Sequence, residues 1–201
     1  MRGVIYIEGG GDGKDLRTRA RQGFRGLFER ARFEGRMPKL VACGSRNDTF
    51  DHWKTALSQA APDAFVAVLV DSEDPVEDVD KPWQHLKTRD GWIRPEGVDD
   101  DQALLMVTCM ETWIVADREA LREHYTRGHL QDSALPSLRG LESRCRQEVQ
   151  EALAHATRTS PKQYSKGKRS FEVLSKVDPS KLEEHLSSFK RCMEILKKRL
   201  G

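Results

Sequence analysis

A chain of 201 residues with 37% hydrophobic and 33% charged content can bury one substantial core beneath a polar surface. It holds no apolar run near the roughly 18 residues of a membrane span, and its first residues lack the basic and apolar regions of a secretory signal, so neither a membrane nor an exported protein is expected. The net charge of +2 conceals segregation, with +5 over residues 1–39, zero over 40–59, −10 over 60–120 and +7 over 121–201, which suits a cation-dependent site acting on a polyanion.

Residues 4–7, VIYI, predict a short strand that runs into Glu8 and the turn GGGDGK, where glycines let the backbone come close to a ligand. The helix predicted over 15–34 places Leu16, Ala20, Phe24, Leu27, Phe28 and Ala31 on one face at spacings of three and four. Arg17, Arg21, Arg25 and Arg32 form a basic stripe beside that face. Residues 39–43 predict a second strand and 47–60 a second helix, capped at Asn47 or Asp48, with Phe50, Trp53, Ala56 and Leu57 inward and Pro62 ending it.

Residues 64–74, AFVAVLVDSED, carry six apolar residues straight into Asp71, Glu73 and Asp74. Such a run reads as a parallel strand buried on both faces, and ligands gather at the carboxyl ends of these strands. A solvated acidic turn is the bland alternative. The alternation of strand, helix, strand, helix, strand predicts a mostly parallel sheet with right-handed crossovers.

Residues 75–101 are irregular and polar but carry Trp83 and Trp92 as anchors, and their length predicts a lid or an ordered excursion near the acidic edge. Residues 103–109 predict another strand, Met110 and Glu111 open a helix, and Asp117 caps the next one through 125. The rest reads as helical. Leu141, Cys145, Val149 and Leu153 mark one amphipathic helix; Leu182, Leu186, Phe189, Met193, Leu196 and Leu200 mark a single last one. Between them, PKQYSKGKRSFEVLSKVDP interleaves Lys162, Lys166, Lys168 and Arg169 with Tyr164 and Phe171, in what reads as a glycine-containing loop suited to phosphate and base contact. The expected organisation is an α/β core over 1–125 and a helical C-terminal region over 126–201 packed on it.

Three segments therefore end in carboxylates at one sheet edge: Glu8, then Asp71 with Glu73 and Asp74, then Glu111. Oxygen ligands from separate strands suit Mg²⁺ or Mn²⁺ rather than zinc. The four cysteines are widely spaced with no C-x-x-C pair, which argues against zinc and a disulfide framework and for a reducing cytoplasm.

At these residues the chain resembles a known family. A strand followed by Glu8-Gly9-x-x-Asp12, and two strands later Asp71-x-Glu73-Asp74, is similar to the Toprim domain of topoisomerases, primases and several nucleases. The segments RQGFRGLFERARFEGRMPKLVACGSRNDTF, CMETWIVADREAL and GKRSFEVLSKVDP resemble a compact stand-alone bacterial Toprim-like family. The resemblance implies a Toprim-like Rossmannoid α/β fold and Mg²⁺-dependent cleavage of phosphodiesters in DNA or RNA. It also implies an ATPase partner in phage defence. Glu8 would be the general acid/base or a ligand, Asp71 and Glu73 metal ligands, and Asp74 a further one. Arg17, Arg21, Arg25, Arg46, Lys166, Lys168 and Arg169 would meet the nucleic acid.

Glu73 stands where many Toprim members carry Asp, a longer side chain that still coordinates. The chain has no room for a topoisomerase's DNA gate. The Walker A pattern fails because Glu8 and Asp15 stand where glycine and Ser/Thr belong. No G-x-S-x-G or H-E-x-x-H occurs. The rival class is a non-catalytic module that binds a partner ATPase or nucleic acid.

Overall fold

The acidic strand end sits at the centre of a four-stranded, wholly parallel sheet. The computed structural model describes residues 3–11, 13–61, 63–125 and 129–201. Asp12, Pro62 and the proposed domain boundary at 125/126 fall on or beside residues outside the described set. The strands are β1 (Val4–Glu8), β2 (Lys39–Gly44), β3 (Val66–Asp71) and β4 (Ala103–Met106), in the order β2-β1-β3-β4. This is the expected α/β Rossmannoid architecture.

Every residue of β3 is buried, because both faces of the sheet are covered. Side chains alternate across a strand, so Ala67 and Leu69 enter one apolar cluster while Val66, Val68 and Val70 enter another. The first cluster packs against α1 (Lys14–Arg30) and α4 (Met110–Ala116) and takes in the C-terminal helices α6 (Arg146–Ala156), α7 (Lys168–Leu174), α8 (Pro179–His185) and α9 (Ser187–Leu200). The second packs against α2 (Arg46–Ser58) and α3 (Pro82–Asp90). A further helix, α5 (Arg118–Tyr125), follows Asp117, whose Oδ1 accepts from the N–H groups of Glu119 and Ala120, as expected of a cap.

Several boundaries differ from the sequence reading, each for a local reason. Helix α1 stops at Arg30, not 34, because Arg32 turns left-handed (φ 65°) and the Phe33 N–H returns to Phe28 O. That turn folds Phe33 onto Phe28, with ring centroids 6.1 Å apart. Helix α2 is capped by Ser45, whose Oγ accepts from Asp48 N, rather than by Asn47 or Asp48. The expected single last helix is two, because Leu186 is extended (φ −125°, ψ 109°). Both pieces face the core, so the apolar spacing runs through the break.

The excursion over 75–101 is ordered and contains α3. Trp83 and Trp92 anchor it to Phe50 and Trp53 of α2; the Phe50 and Trp92 rings stack at 4.0 Å and 5°. The segment expected as a basic loop contains α7, which lies against α1 at two glycines. A Cβ on Gly23 would come within 2.9 Å of Phe171 O, and one on Gly26 within 2.9 Å of Ser175 Cβ. We expect Gly23→Ala to destabilise the chain by about 1–2 kcal/mol, overpacking outweighing alanine's helix propensity gain of about 1 kcal/mol. Thermal unfolding should then shift down by roughly 2–8 °C. An unchanged midpoint would mean that α7 moves away without cost.

Candidate metal centre

The carboxyl ends of β1 and β3 bring Glu8 and Asp71 together, because the two strands pair in parallel with Ile7 opposite Leu69. The Asp71 N–H donates to Glu8 Oε2 at 3.2 Å. Beyond β3 the chain stays tied to the strand next to it, with Ser72 N–H on Met106 O and Glu73 N–H on Thr108 O. Glu73 is left-handed (φ 69°), a conformation uncommon for a residue with a side chain and frequent at functional sites. Ligand oxygens of Glu8, Asp71 and Glu73 all lie within 4.8 Å of one another.

The three carboxylates stand in different surroundings. Asp71 is buried, and its Oδ1 accepts from Met110 N–H at 2.8 Å. Burial, then the charges of Glu8 and Glu111, push its carboxyl well above the ordinary range. Burial also raises Glu8, against the opposing pull of Arg46. Glu73 is met by two guanidiniums, Arg146 of α6 in a close ion pair and Arg89 of α3 at 3.7 Å. Glu111, at the start of α4, is buried beside Asp71; its Oε1 accepts from Tyr164 Oη at 2.6 Å and its Oε2 from Gln150 Nε2 at 3.0 Å. Burial, then the Glu111 charge, raises the Tyr164 phenol, which therefore stays protonated as the donor.

Asp74 is not part of this cluster. Its side chain is 66% exposed and pairs with Arg89 at 3.0 Å, because the turn at Glu73 carries it outward. Arg46, expected to contact nucleic acid, is instead turned toward the acids. Its guanidinium forks onto Asp90, with Nε to Oδ1 at 3.0 Å and Nη2 to Oδ2 at 2.7 Å, while Nη1 reaches Glu8 Oε2 at 3.2 Å and the Asp71 carbonyl. It also lies 4.9 Å from the centroid of the Trp92 ring. Arg46 is thus an internal counter-ion that ties the excursion to the acidic edge.

The remaining basic residues divide. Arg17 donates to Gly11 O, Arg21 to Thr18, and Arg25 pairs with Glu29 along the exposed side of α1. Arg169 pairs with Glu172, and Lys168 is exposed at the start of α7. Lys166 lines a cavity of about 410 Å³ that also includes Glu8, Asp71 and Glu111 in its wall. Tyr164, expected to meet bases, is committed to Glu111.

Sequence reading missed Arg89, Arg146, Gln150 and the Tyr164 contact. The partners are 15 to 73 positions from the cluster and turn acids they touch, and no periodicity links them.

Among known proteins, the family described as "Domain of unknown function (DUF4276)" matches residues 7–197. No curated protein and no solved structure matches the chain.

Proposed function

The chain belongs to the DUF4276 family, and from that premise we propose a divalent-cation-dependent phosphodiesterase of Toprim type that acts on nucleic acid. The convergence of Glu8, Asp71 and Glu73 at the carboxyl ends of adjacent parallel strands carries this reading. The donor set is entirely carboxylate oxygen, which suits Mg²⁺ or Mn²⁺ and not zinc or copper. Buried like charges, of which Asp71 is the most perturbed, are what a cation would relieve. Glu8, Asp71 and Glu73 would hold it, and a bound cation supplies polarisation of a phosphoryl oxygen and a more acidic water.

The chain's own groups complete the reading. Glu8 is fixed by Arg46 and the Asp71 amide, so its carboxylate is oriented to hold or move a proton next to the scissile phosphate. Lys166 at the cavity offers a positive charge to phosphate, and Arg17, bonded to the carbonyl of the cavity-lining Gly11, adds a second beside it. No helix among the described residues is long and apolar enough to cross a membrane; the cytoplasmic setting is proposed from the four widely spaced free cysteines, which a reducing compartment favours. An ATPase partner in phage defence rests on the Toprim resemblance alone.

The test is cleavage of plasmid, single-stranded DNA and RNA with Mg²⁺ and Mn²⁺. Cation-dependent cleavage by the native chain should fall at least about a hundredfold in Glu8→Gln. Equal activity in chain and variant would reject the site. A chain that binds nucleic acid but cleaves none of these substrates would be the non-catalytic module instead.

A further inference from the structure

The cavity beside the acids mixes two kinds of lining. Glu8, Asp71 and Glu111 supply carboxylates; Leu16, Met110 and Phe171 supply apolar surface. Glycines bring the apolar side chains in close. The Phe171 ring tip would lie 3.4 Å from a Cβ on Gly9, immediately after Glu8, and Leu16 Cδ2 would lie 3.4 Å from a Cβ on Gly167. A Cβ at Gly9 or Gly167 would just reach contact with these side chains, and both glycines have positive φ, 135° and 98°, where a side chain is strained. The volume, about 410 Å³, falls within the roughly 300–1,000 Å³ of small-molecule sites and accommodates a single planar group with its sugar.

A phosphodiester alone does not account for the apolar surface. A ligand whose phosphate lies at Glu8 and Asp71 finds Leu16, Met110 and Phe171 lining the same cavity, and in nucleic acid the apolar, planar group one sugar away from phosphate is the base. A base in a duplex is stacked and paired, so entry requires an unpaired one. Lys166, on the same cavity, is complementary to the flanking phosphate.

We propose that this cavity takes one unpaired base of a nucleic-acid strand, so that the chain acts on single-stranded or frayed nucleic acid next to that base. The proposal deepens the phosphodiesterase reading and rests on it. It is tested on the native chain with three substrates: a strand of ten thymidines, the same strand with one abasic residue, and its blunt duplex with ten adenosines. Binding is read by fluorescence anisotropy with Ca²⁺ and cleavage is mapped with Mn²⁺. The expected result is faster cleavage of the single strand than of the duplex, and cleavage beside the abasic residue reduced about tenfold relative to the same position in the intact strand. Leu16→Trp, which fills the cavity from α1, should weaken binding of the intact strand by a similar factor while calorimetric Mn²⁺ binding is retained. Thymidine monophosphate competing as well as the strand would show that the pocket takes the free nucleotide, and would overturn the requirement for a strand. Equal cleavage beside base and abasic positions would overturn the pocket and leave the phosphodiesterase intact. A native chain that neither binds Mn²⁺ nor cuts any substrate would overturn the phosphodiesterase reading, and this inference with it.

Discussion

Asp71→Asn should lower cleavage about a thousandfold while making the cation-free protein more stable at neutral pH. The loss follows from removing a charged donor at the centre of the cluster, where several kcal/mol of charge stabilisation convert at about 1.36 kcal/mol per factor of ten. The gain follows from burial. In the native chain the Asp71 carboxyl is held well above its ordinary range by desolvation and by the charges of Glu8 and Glu111. A carboxyl raised on folding adds stability that is fully present below its unfolded pKa and is lost as pH rises through the folded one. Cation-free native protein should therefore lose stability as pH climbs above the ordinary carboxylate range, and Asp71→Asn should flatten that limb. Asparagine keeps an oxygen that can accept from Met110 N–H, so the turn into α4 is preserved.

The same variant separates folding from cation binding. A ligand at one hundred times its Kd stabilises by about 2.7 kcal/mol, or roughly 5–10 °C for a chain of this size. Thermal unfolding at pH 7 in EDTA and in Mn²⁺ should show that rise for the native chain and little of it for Asp71→Asn. Retention of both the Mn²⁺ shift and native cleavage in the variant would sink the metal centre.

The second large effect is at Arg46. Its side chain is 12% exposed and its partners Asp90 and Glu8 are 10% and 16% exposed, so all three charges are largely out of water. Burial works against the Asp90 charge, but the Arg46 fork overcomes it and holds that carboxyl below its ordinary range. Removing one member of such a pair typically costs about 3–5 kcal/mol; here Glu8 loses its guanidinium while Asp90 keeps Arg89 at 2.6 Å, which sets the cost at the lower end. Arg46→Ala should lower the unfolding midpoint by roughly 10 °C. It should also reduce cleavage, because Glu8 loses one of its two donors and the excursion loses its tie to the sheet edge. Arg46→Lys should recover only part of each, since an ammonium cannot make the fork to Asp90 or lie flat on Trp92. An unchanged midpoint with a shallower salt dependence of nucleic-acid binding would return Arg46 to the polyanion surface.

Much of the fold was readable because its determinants are local or periodic. Six apolar residues running into three acids announce a strand covered on both faces, and its carboxyl end is a place where ligands collect. Glu8 and Asp71 were legible together for a topological reason: parallel strands in adjacent positions present their carboxyl ends side by side. The anchoring of the excursion by Trp83 and Trp92 was visible because large apolar residues in a polar stretch must be buried somewhere.

What the sequence determined on its own is thus the alternation of strands and helices and the meeting of Glu8 with the acids that follow β3, from which the fold removes Asp74. The tertiary structure alone decided how their charges are balanced and where chain direction changes. Arg46 turns inward because Asp90, 44 residues away, and Trp92 are folded against it. Glu111 is held by Tyr164, 53 residues later, in a segment that carries α7 where a loop was expected. The last helix divides at Leu186 because Glu142 accepts from the N–H groups of Ser187 and Ser188, supplying a helix start from 45 residues away. Such contacts leave no period in the sequence. They depend on which surfaces meet once the core has formed, and only the folded chain specifies that.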